Sequence, residues 1–105
     1  MKHLVLIAVS LLLPGQGSWA SDISAPRENE LLHLLKHDCG SCHGLSLKGG
    51  LGPALTPETL KGKPVDFLTA TILYGRTGTP MPPWRPFLND REAVWLAERI
   101  KAGIQ

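Results

Sequence analysis

Apolar positions along the chain fall into three stretches with helical spacing, separated by long segments that have none. From Glu28 to Asp38, ENELLHLLKHD places Leu31, Leu34 and Leu35 on one helical face, with Leu32 adjacent and acids in the first turn. That pattern predicts an amphipathic helix running directly into Cys39. Pro64 can open a second helix, in which Val65, Leu68 and Ile72 recur at helical spacing with Phe67 and Tyr74 alongside, and Gly75 is a natural stop. Asn89 and Glu92 have capping-box spacing, and Ala93, Leu96, Ala97 and Ile100 make one face of a last helix ending near Gly103. Thr56 followed by Pro57 predicts a short helical turn over 57–61.

The intervening segments read as loops. Residues 21–29, SDISAPREN, are polar and contain Pro26, which suggests a loose lead-in. GLSLKGGLGPALTP carries glycines at 44, 49, 50 and 52 and prolines at 53 and 57, too many breakers for regular structure. GRTGTPMPPWRP, residues 75–86, has prolines at 80, 82, 83 and 86 and is expected to be extended. No strand-like alternation or repeat interrupts this order. The expected fold is all-α, three to four helices with long loops, and long loops without a core of their own need something to wrap around.

The first twenty residues stand apart. Lys2 and His3 precede an apolar run from Leu4 to Leu13, and PGQGSWA ends in small residues at 18 and 20. This is the form of a secretory signal peptide cleaved after Ala20, leaving one domain over 21–105 and an expected oxidising compartment outside the cytoplasm. The apolar run rises only ~15 Å as a helix, about half a bilayer core, so no stable membrane insertion is expected once the leader is removed. The chain has 11 Lys and Arg against 9 Asp and Glu, and the leader takes Lys2 with it. A charge this close to neutral argues against nucleic acid as a partner. A mature domain of this size usually needs a metal, a disulfide or a cofactor to complete its core.

The candidate for that staple is HDCGSCHG, residues 37–44, which holds both cysteines of the chain. A disulfide between Cys39 and Cys42 closes a very small loop and constrains little. A thioredoxin-like pair calls for a preceding strand, where a helix is expected. Zinc needs a fourth ligand beyond Cys39, Cys42 and His43, for which His33 or His37 are the available histidines. Covalent haem c attachment has this spacing as its signature: two thiols reach the vinyl groups on one porphyrin edge, and the imidazole of His43 is the proximal iron ligand. Haem is the favoured reading; a zinc or thiol-redox module remains the alternative if none is attached.

Met81, in TPMPPW, lies between prolines rather than on a helical face, which favours a distal thioether ligand over core filler. If Met81 does not coordinate, a small-ligand haem protein, a gas sensor or weak peroxidase, is the alternative function. Pro53 can offer its carbonyl to His43 Nδ1. Tyr74, Arg76 and Trp84 flank the methionine and are candidate propionate contacts. Leu45, Leu47, Leu51, Leu55, Phe67, Leu68 and Ile72 are expected to wall the haem.

With CGSCH, GPAL, ILYGR and TPMPPW in this order, residues 28–103 resemble class I monohaem cytochromes c. They are more narrowly similar to the small periplasmic cytochrome c-55X group encoded with cytochrome cd1 nitrite reductase in denitrifying bacteria. The resemblance implies one haem c, thioether bonds at Cys39 and Cys42, and axial ligation by His43 and Met81. It also implies a non-enzymatic electron carrier whose partners are periplasmic redox proteins, either the nitrite reductase or a factor that matures its d1 haem.

Overall fold

A computed structural model describes residues 22–104, so the expected leader lies outside the described residues. Four helical segments follow one another: α1 over Ala25–Leu34, α2 over Gly40–His43, α3 over Val65–Tyr74 and α4 over Asp90–Ala102. A π-helical turn, Leu35–Cys39, joins α1 to α2 without a break. The all-α expectation is borne out, and no strand occurs among the described residues.

The first helix departs from expectation at both ends. It begins at Ala25, because the Ser24 hydroxyl accepts from the Arg27 N–H at 3.3 Å and Pro26 sits in the first turn. A missing N–H costs nothing there, so the supposed loose lead-in is helical. It also continues past Asp38 to His43, with the Gly40 N–H reaching back five residues to the Leu35 carbonyl. Such π turns reset the rotation of the residues beyond them. The short turn expected after Thr56 is present: Leu60 N–H donates to the Thr56 carbonyl at 2.9 Å and Thr59 N–H to its hydroxyl at 3.4 Å.

Leu31 and Leu35 from α1 and the π turn, Leu68 and Leu73 from α3, and Ala93, Leu96, Ala97 and Ile100 from α4 form one core. Leu47, Leu60 and Leu88 close it from the loops. The core face expected for α4 is the one buried; on α3, Leu73 joins Leu68 inside while Val65 and Ile72 are half-buried. The starts of α1 and α4 are clamped together. The Arg27 guanidinium bonds Glu92 across the fold, Glu30 at 2.7 Å and the Phe87 carbonyl at 3.2 Å. Glu92 also closes the expected capping box with Asn89, at 2.8 and 3.0 Å.

Candidate functional site

Continuing the helix through CGSCH places Cys39 and Cys42 one turn apart on a rigid element, both half-buried and unpaired as thiols. Burial, followed by the nearby Asp38 carboxylate, pushes the Cys39 thiol up to about 11. A thiol held protonated at neutral pH is the reverse of what thiol-redox chemistry requires. Nor do three His, Cys, Asp or Glu side chains converge into a metal-binding group among the described residues. The zinc and thiol-redox readings thus lack support in the geometry.

The carbonyls left open at the end of α2 are satisfied by the glycine-rich loop, which folds back on them. Gly49 N–H donates to the His43 carbonyl and Gly52 N–H to the Cys42 carbonyl, both at 2.8 Å. This brings Pro53 to the imidazole, and His43 Nδ1 lies 2.6 Å from the Pro53 carbonyl. A carbonyl only accepts, so Nδ1 carries the proton and Nε2 keeps its lone pair for a metal. Gly52 makes the approach possible, since a Cβ there would lie 2.7 Å from Cε1 and 2.8 Å from Nδ1 of the ring. Sequence reading singled out Pro53 and passed over Gly52; the GLGP run itself was the available signal.

Met81 is half-buried in a separate closed loop. Arg76 N–H donates to the Met81 carbonyl at 3.2 Å, and Met81 N–H to Thr79 Oγ1 at 3.3 Å. The same hydroxyl donates to the Arg76 carbonyl at 2.7 Å. Trp84 and Arg85 N–H groups then cap α3 by donating to the Ile72 and Leu73 carbonyls, at 3.0 and 3.1 Å. Gly75, with φ of 69°, allows this packing, because a Cβ would fall 2.6 Å from the Met81 carbonyl oxygen. Tyr74 is exposed with the Arg85 guanidinium 6.0 Å from its ring centre, Arg76 is exposed, and half-buried Trp84 packs at 5.8 Å against Phe87 with the ring planes inclined at 56°.

The expected apolar wall divides in two. Leu47 and Leu68 are spent on the protein core, with Leu55 and Ile72 packed at its margin, whereas Leu45, Leu51 and Phe67 are 70, 76 and 51 % exposed. Leu45 lies beside Gly40 and Leu51 precedes Gly52, so two exposed leucines flank the cysteine helix. Thiols at this spacing, an imidazole with Nε2 available and a leucine-bordered surface fit a covalently attached haem c.

The profile of the cytochrome c oxidase cbb3-type subunit III family matches residues 27–98. A cytochrome c55X of Pseudomonas aeruginosa is 51 % identical, over 97 % of this chain and 87 % of its own. The solved structure of a c-type cytochrome, NirC, superposes with a TM-score of 0.74 at 58 % identity, over 75 % of this chain and 93 % of that one. A dihydro-haem d1 dehydrogenase of Pseudomonas aeruginosa is 33 % identical over 96 % of this chain, which corresponds to 22 % of the dehydrogenase. The helical fold, the oriented histidine and these likenesses agree: the chain belongs to the cytochrome c family, in its small c55X group, and is an electron-transfer protein rather than an enzyme.

Proposed function

We propose that residues 21–105, released from a leader over 1–20, act as a periplasmic one-electron carrier. Cys39 and Cys42 would hold a single haem c covalently, and His43 and Met81 would be the protein ligands to its iron. The observation that carries this reading is the 2.6 Å contact of His43 Nδ1 with the Pro53 carbonyl, which orients the imidazole and leaves Nε2 to the metal. Bound haem supplies one reversible ferrous/ferric electron.

The protein's own groups prepare the rest. Pro53 keeps His43 in one tautomer and raises its basicity as a ligand. The hydrogen bonds of Met81 to Arg76 and Thr79, with prolines on either side, hold its backbone in one conformation, so little reorganisation accompanies electron transfer. Two protein ligands leave no open position for a substrate. Tyr74, Arg76 and Trp84 are the donors near this loop available to the propionates. Resemblance to part of a dihydro-haem d1 dehydrogenase supports a partner in d1 haem chemistry, either cytochrome cd1 nitrite reductase or a factor that matures its d1 haem.

Spectroscopy of the haem-loaded protein tests the ligation. The expected ferric form is low-spin with the near-infrared band of a methionine bond to iron. Met81→Ala should keep the covalent haem, lose that band and lower the potential. An unchanged spectrum would show that another distal ligand is in place, and rapid carbon monoxide binding to the reduced wild type would point to a small-ligand haem protein instead. Stopped-flow mixing with cytochrome cd1 nitrite reductase tests the partner: fast exchange supports direct donation, and slow exchange shifts the role to d1 haem maturation.

A further inference from the structure

Among the described residues, two histidines take no part in the site above. His33 and His37 are four residues apart where α1 passes into the π turn, and both are exposed. Their rings face each other with centroids 4.2 Å apart and planes inclined at 41°. Neither ring has a hydrogen-bond partner among the described residues. Side chains at this spacing lie on one helical face, one turn apart, and the backbone beneath them is hydrogen-bonded helix, so their separation is already set.

Imidazole is a ligand for Zn²⁺, Cu²⁺ and Ni²⁺. Two nitrogens each about 2.0–2.1 Å from a shared cation stand about 3 Å apart in a cis arrangement. Rings with centres 4.2 Å apart reach that separation by rotation about their side-chain torsions, without movement of the helix. We propose that His33 and His37 form a two-imidazole chelate for a divalent late first-row transition metal on the exposed face of the first helix. Glu30, one turn before His33, is held by Arg27 at 2.7 Å, so the remaining coordination positions belong to water. The chelate is open, and its affinity rests on the two imidazoles acting together: once one nitrogen binds, the second binds intramolecularly.

The test uses the haem-loaded protein, in which the other thiols and imidazole are engaged, and Zn²⁺, which is redox-silent. Calorimetric titration should show one Zn²⁺ bound, and His33→Asn or His37→Asn alone should weaken it by about tenfold or more. The double variant should be little weaker than either single one, since a chelate is lost with its first arm. Wild-type affinity in either single variant overturns the proposal. Independently of any variant, Cu²⁺ added to the wild type at one equivalent should give a paramagnetic resonance spectrum with two equatorial nitrogens. One nitrogen or none overturns it as well.

Discussion

His43 is oriented by a chain of small necessities. Its ring can approach the Pro53 carbonyl only because residue 52 has no side chain, as a Cβ there would stand 2.7 Å from the ring. Gly52→Ala should displace the imidazole and cost the haem-loaded protein about 1–3 kcal/mol in thermal or denaturant unfolding. The iron–histidine signature in its spectrum should change with it. Wild-type stability and spectrum together would show that the ring does not depend on this approach. Cys39 carries a second residue-scale lesson. Its thiol, pushed up to about 11 mainly by burial, stays protonated near neutrality, so free Cys39 should react slowly with alkylating reagents at pH 7. Rapid labelling of the haem-free protein at this position would contradict that.

At the scale of the helices, the most informative junction is the start of α4. Asn89 accepts from the Glu92 N–H at 2.8 Å while the Glu92 carboxylate accepts from the Asn89 N–H at 3.0 Å. Asn89→Ala should therefore cost about 1 kcal/mol of stability. Glu92 serves a second purpose, since it also bonds Arg27 at the start of α1. The Arg27 hydrogen bond holds the Glu92 carboxyl below its ordinary value, with the Asn89 N–H adding to it against the opposing effect of burial. Unfolding thus raises the affinity of Glu92 for protons. Its stabilising contribution is complete above the unfolded carboxyl's pKa of about 4.3 and is lost as pH falls through the lower folded value. Glu92→Gln preserves a capping residue but removes the charge, and should flatten the loss of stability with acid. An unchanged acid profile would place the dependence on other carboxylates.

For the molecule as a whole, the proposed haem would complete a core that the chain only partly builds. The buried leucines of α1, α3 and α4 make one cluster, while Leu45 and Leu51 beside the cysteine helix remain 70 and 76 % exposed. If they border bound haem, Leu51→Ser should destabilise the haem-loaded protein by about 1 kcal/mol or more, beyond the ~0.5 kcal/mol typical of a surface change. A neutral effect would remove Leu51 from the cofactor's surroundings.

Much of this molecule was legible in sequence because the relevant signals are local. The spacing of Ala93, Leu96, Ala97 and Ile100, the Asn89–Glu92 box, the Gly75 stop and the CGSCH motif each depend on residues within a turn or two of one another. Helical periodicity and capping are properties of short segments, so these were determined before any tertiary contact. Other features involve residues far apart in sequence. The ion pair of Arg27 with Glu92, the folding of the glycine loop onto the end of α2, and the division of leucines between core and exposed surface arise only when the segments meet. Even Pro26, a loop signal when read alone, became the first turn of a helix once Ser24 capped it and Leu31 and Leu35 had a core to enter. The sequence by itself determined where most helices form and which residues are candidates for the chemistry. The tertiary structure decided how they are aimed, because orientation rests on contacts between distant segments that periodicity does not encode.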